Sequence, residues 1–180
     1  MRVALIRHSV PRIAPGICYG RLDVAVDPSA DEQTLSTLVS EPGLHGARRL
    51  WTSPAVRCRG LADAIARSLS APLFVDHRLW ELDFGAWEGQ AWETINRADL
   101  DRWAASLLTF APPGGESGAE LIARIRDFHV DLRRAQQDCV VVSHGGPLKV
   151  LHALLVGGPI NLLASAPAMG SVTFVTCQEL

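Results

Sequence analysis

The amino-acid sequence predicts an α/β fold, in which a mainly parallel sheet carries helices on both faces. The first observation is a pair of short, continuous apolar runs, Val3–Ile6 and Cys139–Val142, typical of strands buried on both faces of a parallel sheet. The second is alternation, because segments with apolar residues at helical spacing follow the predicted strands. A chain that alternates strand and helix in this way builds a parallel sheet covered by its crossover helices.

In chain order, the predicted elements are a strand at 3–7, a loop at 11–30, a helix at 31–41, a strand at 50–52, a helix after residue 53, a strand at 73–75, a helix at 120–134, a strand at 139–143, a helix at 147–156 and a strand at 171–176. Ser53 and Pro54 predict the start of the second helix, as its N-cap and its first residue. Residues 86–116 hold three of the five tryptophans and a Pro-Pro-Gly-Gly turn.

The composition is that of an ordinary globular protein, with 48% hydrophobic and 20% charged residues among 180. This length predicts one domain over residues 1–180. The net charge of −2 provides no basic field, so we expect neither nucleic-acid nor membrane binding. No apolar stretch is long enough to span a bilayer, and the N-terminus lacks the pattern of a signal peptide.

The four cysteines are not arranged as a zinc or redox motif, since none of them forms a C-x-x-C pair. They could form two disulfides, but without a secretion signal we expect free, buried thiols in a reducing cytoplasm. The His, Cys and carboxylate spacings likewise indicate no metal site. We therefore expect a cytoplasmic protein without metal or cofactor, whose oligomeric state the sequence leaves open.

Polar residues follow the two apolar runs at the point where each predicted strand ends. Arg7 and His8 follow the first run, and His144 follows the second and precedes two glycines. Ligands of open α/β sheets bind just outside the carboxyl ends of the strands. The sequence therefore predicts one site that contains two histidines and a fixed positive charge.

Two further residues fit an anion site of this kind. Arg57 lies on the first turn of the predicted second helix, where its side chain and the helix N-terminus can face the same anion. Arginine suits phosphate because its planar fork donates two parallel hydrogen bonds. With one imidazole attacking phosphorus, Glu81 is the obvious proton donor to the leaving group, and Glu88 is the competing candidate.

These residues lie in four motifs that resemble the signatures of the histidine phosphatase superfamily, which includes the cofactor-dependent phosphoglycerate mutases. The motifs occur in the family's order and are Leu5–His8, Ser53–Arg57, Glu81–Gly89 and Ser143–Gly146. The resemblance spans residues 3 to about 150, and the four motifs together make a specific signal where one alone would be weak.

The resemblance implies a three-layer α/β/α sandwich with a mainly parallel central sheet, phosphoglycerate mutase-like, in which residues 86–116 form a capping insertion. It implies that His8 is the phosphorylated nucleophile and Glu81 the general acid. Arg7, Arg57 and His144 would bind the phosphoryl group. Electrostatic stabilisation by these cationic side chains would make a metal unnecessary.

The branch of the superfamily that contains α-ribazole phosphatase is more similar still. Its opening resembles Arg7–Pro11 followed by Gly16–Val24 of this chain. Within the second segment, Tyr19, Gly20 and Arg21 are candidate substrate-binding residues, with a plain loop as the alternative. That branch removes the 5′-phosphate of α-ribazole phosphate during assembly of the cobalamin lower ligand.

The chain departs from the superfamily pattern at two positions. Ser9 stands where glycine usually follows the Arg-His pair, and Ala14 stands where the mutases have an asparagine that helps to hold the phosphoryl group. One phosphoryl contact is therefore missing or supplied by Ser9. The absence of the asparagine makes a phosphoglycerate mutase the weaker hypothesis.

The prediction is a metal-independent phosphomonoesterase that acts on a small-molecule phosphomonoester, with α-ribazole 5′-phosphate as the first candidate. A phosphoglycerate mutase and a catalytically silent protein that binds a phosphorylated ligand are the alternatives. The tryptophans of the insertion either pack the cap or face a flat aromatic substrate such as a benzimidazole base.

Overall fold

A five-stranded sheet forms the centre of the computed structural model, which describes residues 1–177. In chain order the strands are β1 (Arg2–Arg7), β2 (Arg49–Thr52), β3 (Leu73–Val75), β4 (Cys139–Ser143) and β5 (Val172–Thr176). The order across the sheet is β3-β2-β4-β1-β5. The first four pair in parallel, while β5 runs antiparallel to β1 at one edge, which confirms the predicted, mainly parallel sheet.

Helices cover both faces of the sheet. They are α1 (Pro28–Val39), α2 (Val56–Leu69), α3 (Arg97–Ala105), α4 (Gly118–Ala135) and α5 (Gly145–Val156), with short 3₁₀ turns at Pro42–Leu44, His77–Leu79, Gly85–Trp87 and Trp92–Thr94. One core joins α1 and α2 to the sheet, and a second core joins α4 and α5 to the opposite face. The alternation of inward side chains along β1 explains both cores, since Ala4 and Ile6 face one and Val3 and Leu5 the other. The fold is thus a three-layer α/β/α sandwich.

The register between the two central strands brings the predicted site together. Arg7 at the end of β1 is paired with Ser143 at the end of β4. The next residue of each strand is a histidine, so His8 and His144 leave the sheet side by side at its carboxyl edge.

The four predicted helices begin two or three residues away from their predicted starts, and two of these differences have a clear structural reason. The first helix begins at Pro28 rather than residue 31, because the Asp27 carboxylate accepts hydrogen bonds from the Ser29 and Ala30 amides. The predicted N-cap at Ser53 is wrong, since α2 begins at Val56 without a side-chain cap. The hydroxyl of Ser53 is used instead in the site described below.

The segment after β3 forms a separate aromatic cluster together with Cys18. Buried Cys18, Trp87 and Ile95 form its centre, and further aromatic side chains pack around them. It also contains helix α3, which the sequence did not predict and which Asn96 caps through the Ala98 amide. Trp87 is 4% exposed and therefore packs this cluster rather than facing a ligand.

The described residues include all four cysteines of the chain. The side chains of Cys18, Cys58, Cys139 and Cys177 are buried and free. Among residues 1–177, no helix combines the length and the apolar character needed to cross a bilayer.

Candidate active site

The rings of His8 and His144 lie edge to face, with their centroids 5.2 Å apart. Both residues are buried at the carboxyl edge of the sheet. The two-histidine site that the strand ends predict is therefore formed by the register of β1 and β4.

His8 is held as a neutral imidazole with one nitrogen free. Its Nδ1 lies 2.7 Å from the carbonyl oxygen of Ser9. Because a carbonyl only accepts, Nδ1 carries the proton, and Nε2 keeps its lone pair. Burial, together with the nearby Arg57 and Arg7 charges, lowers the pKa of His8 from 6.5 to about 3, and the hydrogen bond to Ser9 opposes this shift only in part. A neutral ring at physiological pH is what an attacking nitrogen requires.

His144 is bound through both ring nitrogens. The Arg57 Nε–H donates to its Nδ1 at 3.3 Å, which leaves the proton on Nε2, 2.7 Å from the Ser53 hydroxyl oxygen. The Trp80 indole stacks on the ring with 6.4 Å between centroids. Burial, reinforced by the Arg57 charge, lowers the pKa of His144 well below its usual value. Ser53 and Trp80 thus orient His144, and the sequence predicted neither contact.

Arg57 is buried beneath the site, with 1% of its surface exposed. Besides its bond to His144, it donates to the carbonyl of Leu22 at 2.9 Å and to the carbonyl of Gly20. Its guanidinium also lies 5.5 Å from the centre of the Tyr19 ring. One arginine of α2 therefore fixes both His144 and the loop that carries Tyr19.

A cavity of about 290 Å³ opens over these groups. Among the described residues, Arg7, His8, Tyr19 and Glu81 line it, whereas Arg57 and His144 do not. Arg7 donates to the Pro167 carbonyl at 2.7 Å, and its buried Nε has no hydrogen-bond partner within residues 1–177. A buried donor without a partner next to a cavity is suited to receive an anionic ligand.

The side chain of Glu81 lies against the first turn of α5. Its carboxylate oxygens each accept from the Gly146 amide at 3.2 Å, and one accepts from the Leu82 amide at 2.9 Å. A Cβ at position 146 would lie 2.4 Å from the Glu81 carboxylate. The second glycine after His144 therefore provides the room in which Glu81 sits.

Arg124 of α4 fixes the loop that carries Glu81, although no sequence motif indicated it. Its guanidinium donates to the carbonyls of Arg78, Trp80 and Glu81. It also forms a two-pronged ion pair with Glu116, with N–O distances of 2.7 and 2.8 Å. Since arginine donates from a rigid fork, this arrangement positions the main chain of Glu81.

The predicted substrate residues Tyr19, Gly20 and Arg21 are placed differently from one another. Tyr19 lines the cavity. Gly20 packs against Leu82, where a Cβ would lie 2.0 Å from the carbonyl oxygen, so only glycine fits. Arg21 points to Asp83 and Glu116, at 3.4 and 3.5 Å, and does not belong to the described cavity wall. Substrate contacts of Tyr19, Gly20 and Arg21 stay predictions.

Glu88, the competing acid, has a different environment. Its carboxylate accepts from the main-chain amides of Arg21, Leu22 and Phe84, and it is not among the described cavity-lining residues. This carboxylate fastens the 20–22 loop to the 84–88 turn. Of the two acids, Glu81 is the one that faces the cavity.

The Ser9 hydroxyl, the candidate for the contact that Ala14 cannot make, has a partner outside the cavity. Its hydroxyl donates to the Asp31 carboxylate at 2.6 Å, and its side chain is buried outside the described cavity wall. Asp31 lies on the first turn of α1. The serine therefore joins the His8 loop to α1.

Most of the remaining cavity lining is apolar and aromatic. The side chains that form it are those of Ile17, Leu82, Phe84, Trp92, Trp103, Leu107, Leu121, Leu162, Leu163 and Ala166. The Trp92 and Trp103 rings stack with 6.2 Å between centroids. Besides Arg7, Lys149 is the one arginine or lysine among the described cavity-lining residues, and it was not among the predicted site residues. A lysine between Leu148 and Val150 in an apolar helix was the available signal.

The described residues contain no group of three His, Cys, Asp or Glu side chains arranged to hold a metal ion. Two arginines place positive charge at the histidines, since Arg7 lines the cavity with His8 and Arg57 donates to His144. Lys149 also lines the cavity, but its ammonium is engaged by the carbonyls of Leu162 and Ala164. The site is therefore electropositive through its own side chains and attracts an anion.

Comparison with known proteins identifies the family. The family model of the histidine phosphatase superfamily (branch 1) matches residues 3–179. The chain belongs to this superfamily. Phosphoserine phosphatase 1 of Hydrogenobacter thermophilus is 27% identical over 165 residues, which are 87% of this chain and 77% of that protein. Glucosyl-3-phosphoglycerate phosphatase of Mycobacterium tuberculosis is 26% identical over 197 aligned residues, 99% of this chain and 84% of that protein.

Among solved structures, the α-ribazole phosphatase of Shigella flexneri aligns with a TM-score of 0.87 at 23% identity, covering 99% of this chain and 92% of that one. This likeness shows the phosphoglycerate mutase-like fold of the histidine phosphatases. Membership of this superfamily, together with relatives that are phosphatases by name, supports the conclusion that the chain is a phosphatase.

Proposed function

We propose that this histidine phosphatase is a metal-independent phosphomonoesterase that works through a phosphohistidine. The observation that carries the proposal is His8, whose proton is held on Nδ1 by the Ser9 carbonyl while Nε2 stays free at the cavity. A neutral imidazole with a fixed tautomer is a ready nucleophile.

In the first step, the Nε2 lone pair forms a bond to phosphorus as the bond from phosphorus to the leaving oxygen breaks. The leaving oxygen takes a proton from Glu81, the carboxyl group that faces the cavity. Arg7 binds the phosphoryl oxygens, with its unpartnered Nε as the first donor. His144, whose ring lies 5.2 Å from that of His8, and Arg57, which donates to His144, are the other proposed ligands of the phosphoryl group.

In the second step, water attacks phosphorus and the bond to Nε2 breaks, so that inorganic phosphate is released. Glu81 accepts a proton from the attacking water and returns to its starting state. The phosphoryl group carries its negative charge throughout, and the cationic side chains stabilise it in place of a metal.

The proposed substrate is α-ribazole 5′-phosphate or a related small phosphomonoester, which would give the enzyme a place in cobalamin biosynthesis in the cytoplasm. Two observations support it. The opening motif Arg7–Pro11 resembles that branch. The cavity wall near Trp92 and Trp103 offers aromatic faces to a flat base. The proposed partner is thus a small molecule.

The test is rapid acid quenching with a ³²P-labelled phosphomonoester. The wild type should trap acid-labile phosphate, and His8→Ala should trap none while keeping its circular dichroism spectrum. EDTA should leave turnover unchanged. Isomer transfer without phosphate release would point to a mutase, and binding of phosphate without any turnover would point to a silent binding protein.

A further inference from the structure

The single lysine of this chain is placed at the cavity. The sequence holds 17 basic side chains, of which sixteen are arginines and one is Lys149. Lys149 lies on the second turn of α5 and lines the cavity beside Glu81. The proposed mechanism does not use it.

The ammonium group of Lys149 fastens the outer wall of the cavity. It donates to the main-chain carbonyl of Leu162 and, at 3.0 Å, to that of Ala164. Leu162 and Leu163 are cavity-lining residues, so the residues that Lys149 holds are the wall itself. A compact ammonium with three donors can bind two carbonyls that are two residues apart on one loop.

Within this wall, Leu162 packs against the core that joins α4 and α5 to the sheet. The described residues 157–171 form neither helix nor strand, and Leu163 is 71% exposed. A second cavity, of about 470 Å³, lies between this segment, α5 and β5. Ala166 lines both cavities. The exposed residues Leu163 and Ala164 therefore depend on the Lys149 contacts more than Leu162 does.

Arg7 provides the second anchor, through the Pro167 carbonyl at 2.7 Å. Arg7 is also a proposed phosphate ligand, whereas Lys149 takes no part in the proposed chemistry. The two anchors thus separate two roles. Replacing Lys149 releases the wall while the phosphate-binding groups stay in place.

We propose that Lys149 is a positioning residue that determines leaving-group specificity, because it fixes residues 162–164 as the apolar wall on which a large, uncharged leaving group packs. The proposal rests on the proposed phosphomonoesterase function. It adds a substrate class, namely phosphomonoesters whose leaving group extends past the first ring onto this wall.

The experiment compares phenyl phosphate with 1-naphthyl phosphate, whose leaving groups have similar acidity and differ by one ring. In Lys149→Ala, KM for 1-naphthyl phosphate should rise about tenfold, as expected for a second ring that loses its apolar contact. KM for phenyl phosphate, kcat for both esters and inhibition by inorganic phosphate should change less than about threefold. Lys149→Arg should restore part of the difference, because a guanidinium also donates to two carbonyls.

His152→Ala is the matched control, since His152 is exposed on the same helix and lines the second cavity only. It should leave both KM values unchanged. An equal KM rise for the two esters in Lys149→Ala, or no rise for either, would overturn the proposal.

Hydrogen exchange provides a readout that needs no activity. Amides of residues 158–168 should exchange faster in Lys149→Ala than in the wild type, with other segments unchanged. Unaltered exchange there would also refute the proposal. Absence of wild-type turnover on both esters, with faster exchange in the variant, would instead reject the proposed function and leave the anchoring role standing.

Discussion

The Glu81 carboxylate occupies the space in which a side chain at Gly146 would begin. A Cβ there would lie 2.4 Å from a carboxylate oxygen of Glu81. The carboxylate is the end of a flexible side chain, so it would yield before the backbone of α5. Gly146→Ala should therefore fold but displace the proposed acid, and slow hydrolysis of an alkyl phosphate by about tenfold or more.

Gly60→Ala is the control for this change. Its Cβ would meet nothing closer than 3.9 Å, on the exposed side of α2. It should keep full activity and raise the free energy of unfolding by up to about 1 kcal/mol, because alanine favours the helix. Urea unfolding and steady-state kinetics of both variants provide the comparison. Full activity in Gly146→Ala would show that Glu81 does not need its present position.

Glu81→Gln should affect esters according to their leaving groups. Turnover of an alkyl phosphate should fall about 100-fold or more, since a strongly basic alkoxide needs a proton donor. Turnover of p-nitrophenyl phosphate should fall far less, because nitrophenolate leaves without one. The measurement is kcat/KM for both esters, and equal slowing would contradict the acid role.

Glu88→Gln distinguishes the two acids. The Glu88 carboxylate binds three main-chain amides outside the described cavity wall. Its replacement should lower the melting temperature and slow both esters alike, without dependence on the leaving group. A leaving-group dependence in Glu88→Gln and none in Glu81→Gln would exchange their roles.

Arg57→Lys should fail to restore the site. Arg57 binds His144 and the carbonyls of Gly20 and Leu22 with one planar fork, which an ammonium cannot reproduce. We expect kcat/KM to fall about 100-fold or more, and inhibition by vanadate to weaken. Arg59→Lys, at an exposed position of the same helix, should behave as the wild type. Wild-type kinetics in Arg57→Lys would show that the Arg57 guanidinium is not needed to bind the phosphoryl group.

The His8 ring links stability to pH. Its pKa is about 3 in the folded protein, below the ordinary value of 6.5. Between these values the unfolded chain binds the additional proton, so stability falls as pH falls from about 6.5 towards 3. The contribution of His8 is at most about 1.4 kcal/mol per pH unit.

Urea unfolding between pH 4.5 and 7.5 tests this linkage. His8→Gln should show a shallower loss of stability on acidification than the wild type. The buried His144 contributes in the same direction and remains in both proteins. Parallel stability curves would show that His8 is not kept neutral by its burial.

Local sequence patterns predicted the strands and most helices. The runs that became β1 and β4 are apolar at every position, so their burial on both faces follows from composition alone. Helix α3 was missed because Arg97–Ala105 is short, has four charged residues among nine and has no buried residue. Its stability comes from the aromatic cluster of the insertion, which no local pattern describes.

Ser53 shows the limit of local reasoning. A serine before a proline is typical of a helix start, yet its hydroxyl binds His144, 91 positions away in the chain. Arg124 and Lys149 were missed for the same reason, since their partners are carbonyls of distant loops. A carbonyl is present at every residue, so sequence spacing carries no information about which one a cation will bind.

The sequence by itself determined the chemical groups of the site and their position at strand ends, because buried strands and the polar residues after them are local features. Only the tertiary structure decided which nitrogen of His8 is free, which of two glutamates faces the cavity and what closes its outer wall. Those properties depend on hydrogen bonds between loops that meet only when the parallel sheet aligns its carboxyl edge.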